Sequence, residues 1–292
     1  MLDHPPSPER LATVAAALDR LPTGVDRAAR DEAARLIGYT SAHLGNPGAD
    51  LVVAVVGVGG SGKSTLVNTM ARRRVSAAGT RRPTTTEIVA WGGDRLPAVL
   101  DRLRRTVPGK MVAGSVPPLP GLVVVDTPPP EVTDADGRPL CHSVIDVADV
   151  CLLVAAANRY ADAAGFEMAR RAAGRGAAVV VVLNRLPPTP ELQRELRSDF
   201  ARKLAVGGVA PGIGPDDVIA VAEGPISRER HGLASEAVLG VIKELERLGA
   251  DRDAVRAAAV AGTLHRTAGL LAALRAGLVT AAARRIELSD PV

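Results

Sequence analysis

The residues with the clearest chemical capacity in this 292-residue chain lie at 57–64. Gly57-Val58-Gly59-Gly60-Ser61-Gly62-Lys63-Ser64 has the spacing G-x-x-x-x-G-K-[ST]. Glycines let such a loop turn tightly with its backbone N–H groups aimed at a β-phosphate. The lysine bridges the β- and γ-phosphates, and the next hydroxyl ligates Mg2+. The pattern predicts phosphate contacts from Gly57, Gly59, Gly60, Ser61, Gly62, Lys63, Ser64 and Thr65. Lys63 is also the candidate catalytic cation, and Ser64 a metal ligand.

A glycine-rich turn can match this spacing by chance, so the flanking segments decide. Leu51–Val56 (LVVAVV) is a continuous β-branched run, as expected of a strand buried on both faces of a parallel sheet. A helix predicted over 65–73 follows, and its positive N-terminal end faces the same anion. Asp126 adds an independent signal. It ends the apolar run Leu122–Val125, which puts its carboxylate at the edge of the sheet where ligands of such folds bind. In P-loop NTPases that position holds magnesium through a water, although an aspartate at a strand end also serves as a plain turn cap.

The remaining elements follow the same alternation. Strands are expected at 87–91, 122–125, 150–155, 177–183 and 218–222, with helices at 95–105, 161–173 and 190–204. Strands alternating with helices of this length predict an α/β P-loop NTPase with a doubly wound, mainly parallel sheet. Two helices within 8–43 precede it, and helices at 233–248 and about 251–287 follow it. Val260, Leu264, Leu271, Leu274 and Leu278 recur at three- and four-residue steps, so the last helix is expected to join the first two in a bundle. The organisation read from this is 1–48 and 231–292 as bundle helices around a nucleotide-binding domain at 49–230.

Composition excludes several classes. Hydrophobic residues make up 47% and aromatics 2%, and the net charge of +4 is almost all arginine, since the lysines are Lys63, Lys110, Lys203 and Lys243. Basic residues are not interleaved with aromatics, so no nucleic-acid partner is predicted. Cys141 and Cys151 have neither metal-ligand spacing nor a disulfide pattern, and read as reduced thiols of a cytoplasmic protein. The start, MLDHPPSPER, does not resemble a signal peptide. The longest uncharged run, 111–125, is broken by Pro117, Pro118 and Pro120, so no bilayer-spanning segment is expected.

Four further segments carry a family resemblance. They are Gly79-Thr80-Arg81-Arg82-Pro83-Thr84-Thr85-Thr86, Asp126-Thr127-Pro128, Asn158-Arg159-Tyr160-Ala161-Asp162 and Asn184-Arg185-Leu186-Pro187. In order and spacing, residues 50–225 resemble the bacterial dynamin-like GTPases. The resemblance implies GTP or GDP with Mg2+ as ligands. It makes 79–86 switch I, with Thr85 as the second magnesium hydroxyl and γ-phosphate sensor, and Thr84 next in line. A threonine-rich approach to a strand accounts for the same residues by propensity alone. The resemblance also implies a homodimer across the nucleotide site, and a peripheral membrane or protein partner for the bundle.

Departures from the family pattern are as informative. Switch II of GTPases is D-x-x-G, whose glycine N–H donates to the γ-phosphate; here the positions read Asp126-Thr127-Pro128-Pro129, and proline has no N–H. Pro130 stands where a water-orienting glutamine belongs, and Gly59 and Gly60 where dynamins carry polar groups. Glu131, Asp134 and Asp136 could substitute, or form a solvated acidic loop. In the base-reading motif Asn184 is kept and Arg185 can stack on the base, but Pro187 replaces the guanine-binding aspartate. Glu223, after the last strand, is the candidate replacement carboxylate. ATP and ADP therefore stay open. Three functions compete: a slow dynamin-like GTPase, a guanine-nucleotide switch that hydrolyses little, and an ATP-using kinase or ATPase. Against an ATPase of the ParA/MinD type, Val58 occupies the place of its early lysine; against a kinase lid, 127–149 contains only Arg138. On all three readings Lys63→Ala should abolish nucleotide binding, measured by titration with a fluorescent nucleotide.

Overall fold

Parallel strands need crossover connections, so a sheet of them is covered on both faces and its strands can be apolar throughout. The computed structural model follows that logic. It describes residues 6–22, 25–46, 48–77, 88–92, 98, 100, 103, 109–113, 119–130, 137–227 and 231–289. The strands are β1 (Leu51–Val56), β2 (Ile88–Gly92), β3 (Gly109–Ala113), β4 (Leu122–Asp126), β5 (Val150–Ala156), β6 (Ala178–Leu186) and β7 (Val218–Ala222). They form one sheet in the order β3-β2-β4-β1-β5-β6-β7. All neighbours are parallel except β2 and β4, which are antiparallel.

The helices are α1 (Pro8–Asp19), α2 (Arg27–Leu44), α3 (Lys63–Ala71), α4 (Gly137–Ile145), α5 (Ala163–Ala173), α6 (Pro190–Val206), α7 (Leu239–Ala250) and α8 (Arg252–Ser289). Side chains of β1 alternate between two cores, as the period of two requires. Val52, Ala54 and Val56 join the core that holds Val144, Met168 and Phe200. Leu51, Val53 and Val55 join the one that holds Leu66, Trp91 and Leu245.

Expected and observed elements differ in places with physical causes. β3 and α4 have no counterpart in the sequence reading; β3 (GKMVA) is short and begins with a glycine and a lysine, which hides it from a hydrophobicity scan. The reversed direction of β2 is not legible locally. Ser76 reaches Asp126, and Val89 lies beside Asp126, so after α3 the chain returns to the sheet edge it has just left, and β2 runs away from that edge. Of the helix expected at 95–105, only 98, 100 and 103 are described, with Leu100 and Leu103 buried.

Helices α1, α2 and α8 share a separate small core of Leu11, Leu18, Ala33, Leu36, Ile37, Leu270 and Leu274. The buried stripe of α8 is not the aliphatic one expected. It runs through Arg256, Ala259, Thr263, Thr267, Leu270 and Leu274, whereas Val260, Leu264, Leu271 and Leu278 are half-buried. Small and polar positions are buried because the helix crosses close to the turn between α5 and β6. A Cβ at Gly262 would collide with the backbone of Arg175 and Gly176. Contrary to the expectation that no segment could span a bilayer, α8 over Arg252–Ala282 is long and apolar enough by length and composition, with hydropathy 1.2. A search for uncharged runs misses it, because scattered arginines interrupt its alanines and leucines.

Buried charges fasten these helices to the amino ends of the strands. Asp149, just before β5, accepts from Val52 N (2.8 Å) and Tyr39 Oη (2.7 Å), and His43 Nε2 lies 3.4 Å from it. Arg175 donates to Ile145 O (2.8 Å) and Thr263 Oγ1 (2.9 Å), and its guanidinium lies 4.7 Å from the Tyr39 ring centre. Arg35 and Arg171 both hold Asp146, and Arg171 and Arg266 both hold Glu32. Burial by itself pushes the Asp149 carboxyl up, but its contacts with His43, Val52 N–H and Tyr39 outweigh that and hold it below 3.8. A depressed carboxyl stabilises the fold above its ordinary value, and that contribution is lost as pH falls through the folded value. Removing it also strands the Val52 and Tyr39 donors. Asp149→Ala is expected to lower unfolding stability by about 3 kcal/mol at neutral pH, with a smaller loss in acid, measured by urea denaturation.

Candidate functional site: a phosphate loop and its carboxylate

β1 delivers the chain to the loop 57–62, and α3 begins at Lys63 with Gly62 as its cap. Among the described residues no side chain caps this helix, and the positive end of a helix of this kind faces an anion favourably. Gly62 has φ 97°, and a Cβ there would collide with the Asn184 amide. The position thus requires glycine on two counts. Asn184 Nδ2 donates to Ser61 O at 2.8 Å and so braces the loop from β6. In the sequence Asn184 is a nucleotide-binding candidate of the base-recognition motif; its contact in this structure is with the loop itself.

The brace depends on a local irregularity. β6 changes register against β7 between Leu183 and Leu186, and Arg185 sits there at φ 59°, a conformation that costs a non-glycine residue about 1–3 kcal/mol. The bulge buries Asn184 toward the loop and exposes Arg185. Arg185, Asn158, Arg159 and the loop residues Val58–Ser61 line one cavity of about 170 Å3. Asn158 and Arg159 have no assigned role in the sequence reading; they come to the site because β5 ends next to β6, with Ala157 N bonded to Asn184 O (2.8 Å). Glu223 is exposed, and its N–H bonds Leu186 O at 2.9 Å, which sets it beside the bulge at the end of β7.

Lys63 is 6% exposed, and its ammonium donates to Gly57 O (2.6 Å) and Val58 O (3.2 Å). Thr65 is half-buried one turn into the helix. Asp126 is fully buried at the end of β4. Its Oδ2 accepts from Ser76 Oγ at 2.5 Å, while Oδ1 is buried with no hydrogen-bond partner among the described residues. Burial pushes this carboxyl above 3.8, against the opposing charge of Lys63 and hydrogen bonds from Ser76 and Ser64. An orphaned carboxylate oxygen close to the Ser64 hydroxyl is an all-oxygen donor set of the type that takes Mg2+. These residues fit the metal. Thr84 and Thr85, the other candidate ligands, lie outside the described residues, as do Thr86, Glu131, Asp134 and Asp136.

After Asp126 the chain is pinned by Thr127 Oγ1 to Val55 O (2.8 Å) and by Cys141 Sγ to Pro128 O (2.9 Å). Both cysteines are buried and neither forms a disulfide, and burial pushes the Cys151 thiol up to about 12. Reactive thiol chemistry is therefore not expected there.

Because Asp126 is raised, the metal-free fold keeps its full contribution only below 3.8 and loses it as pH rises through the folded value. Asp126→Asn is accordingly expected to raise the melting temperature of the metal-free protein by about 2–4 °C at neutral pH. If Mg2+ with nucleotide raises the melting temperature of the wild type, the same variant should lose that rise. Differential scanning calorimetry in EDTA and in Mg2+ measures both.

Residues 52–185 match the family described as 50S ribosome-binding GTPase. No curated protein matches the chain. Among solved structures, a member of an oligomerised bacterial dynamin pair is 12% identical with a TM-score of 0.47, over 96% of this chain and 48% of that one. Toc33 from Arabidopsis thaliana, in complex with Mg2+ and GMPPNP, is 14% identical with a TM-score of 0.43, over 82% of this chain and 98% of that one. A variant of Aquifex aeolicus Era bound to GDP and AlF4- is 20% identical with a TM-score of 0.44, over 66% and 56%. The chain spans about half the length of the bacterial dynamin. Residues 52–185 are thus similar in sequence to that GTPase family, and the loop and sheet described above have the architecture of a P-loop NTPase fold.

Proposed function

We propose that the protein binds GTP and GDP with Mg2+ at this loop and hydrolyses GTP slowly, as a dynamin-like switch whose bundle helices convey the nucleotide state to a partner. The observation that carries the reading is the convergence of Lys63, Ser64 and the orphaned Asp126 Oδ1 on a loop braced by Asn184. In this reading Gly57 and Gly59–Thr65 hold the phosphates. Lys63 neutralises charge on the β- and γ-phosphates, and Ser64, Asp126 and Thr85 (or Thr84) hold the metal. Bound Mg2+ supplies charge neutralisation at the phosphates. Arg185 stacks on the base, and Glu223, exposed beside the bulge at the end of β7, replaces the missing aspartate.

Slow turnover follows from backbone chemistry. Pro129 and Pro130 have no N–H, so neither can donate to the γ-phosphate or orient water through its backbone. The same observation favours a second reading, a switch that binds guanine nucleotide and hydrolyses almost none. Helices outside 49–230 serve as the output in both, with a second copy, another protein or a membrane surface as the partner. The deciding experiment titrates the protein with fluorescent GDP, GTP, ADP and ATP, then measures phosphate release. Guanine nucleotides are expected to bind at least tenfold tighter than adenine ones, with release at rates far below those of stimulated GTPases. Equal or tighter adenine binding overturns the GTP assignment, and tight guanine binding without release selects the second reading.

A further inference from the structure

Ser76 is 1% exposed and outside every motif in the chain, yet it donates directly to the candidate metal carboxylate, Oγ to Asp126 Oδ2 at 2.5 Å. Its own position is over-determined. Asn68, on α3 and also 1% exposed, accepts through Oδ1 from the N–H groups of Val75 and Ser76 (2.9 Å each) and donates through Nδ2 to Ser76 O (3.0 Å). A buried amide that spends three hydrogen bonds on one short loop holds that loop in one conformation. Asn68 lies on the helix that begins with Lys63 and Ser64. Loop lysine, metal hydroxyl, brace and carboxylate are thus linked through a single rigid element.

We infer that Ser76, held by Asn68, is a positioning residue for the magnesium site: it clamps Asp126 by Oδ2 and leaves Oδ1 for the metal. The inference rests on the reading of the loop as a Mg2+-nucleotide site. Ligating carboxylates work in a fixed rotamer, and the groups that bond their free oxygen set that rotamer. Loss of such an outer partner generally weakens metal affinity by about 10- to 100-fold. The clamp acts on the metal and not on the phosphates, which separates it from a general packing role.

The test measures the affinity of the full chain for a fluorescent GDP in EDTA and across a Mg2+ titration. For Ser76→Ala, the EDTA affinity should stay within about twofold of wild type, while the Mg2+ concentration at half-effect rises by about tenfold. Ser76→Thr, which restores a hydroxyl, should return toward wild type. An unchanged Mg2+ midpoint in Ser76→Ala overturns the inference, as does an equal loss of affinity with and without Mg2+. If Ser76→Ala does not fold, Ser76→Cys keeps the volume and weakens the donor; a wild-type midpoint there also overturns it. Wild-type protein that binds no GDP, or binds it with no response to Mg2+, overturns the underlying site reading and the inference with it.

Discussion

Strands β1, β4, β5 and most of β6 are buried on both faces, so these strands can present polar groups only at their ends. That constraint organises the rest of the molecule. At the carboxyl ends lie the loop 57–62, Asp126, Asn158 and Asn184; at the amino ends lie Asp149 and the backbone of Val52. Each edge then recruits its own covering elements. The carboxyl edge carries the glycine-rich loop and the half-satisfied Asp126, while the amino edge is closed by the helices of the bundle.

The two edges treat their buried carboxylates in opposite ways. Asp149 is surrounded by Val52 N–H, Tyr39, His43 and, at 3.9 Å, Arg256, and its pKa is held down. Asp126 has one oxygen satisfied and one orphaned, and its pKa is pushed up by burial. A fully satisfied carboxylate is a fastening. A half-satisfied one stores a cost that a ligand can relieve, and the pattern is what a binding edge requires. The paired strands β1 and β5 run from one edge to the other.

The prolines mark where this chain departs from the residue patterns of GTPases. Pro129 and Pro130 remove donors, while Thr127 and Cys141 still pin the segment that carries them. Pro187 removes a base acceptor, yet the bulge at Asn184–Arg185 is retained with its strained backbone. The strained turn keeps the Asn184 amide on the loop at Ser61 O.

How much of this was legible in the sequence varies with the range of the interaction involved. The strand-loop-helix at 51–71, Asp126 at a strand end and the alternation of elements were all readable, because each follows from local periodicity and from glycine and proline chemistry. The antiparallel β2, the polar stripe of α8 and the short β3 were not, because direction and burial depend on what the chain meets across the sheet. Asn184 appeared in the sequence as a base-reading residue, and only the bulge in β6 turned its amide onto Ser61 O. Ser76 and Asn68 carried no local signal at all. The sequence by itself determined that a phosphate loop with a lysine, a hydroxyl and a nearby carboxylate exists, since those chemistries are written in consecutive residues. Which oxygen of Asp126 is left for a metal, and what holds it there, was decided by the tertiary structure, because the hydrogen bond that clamps it joins residues fifty positions apart.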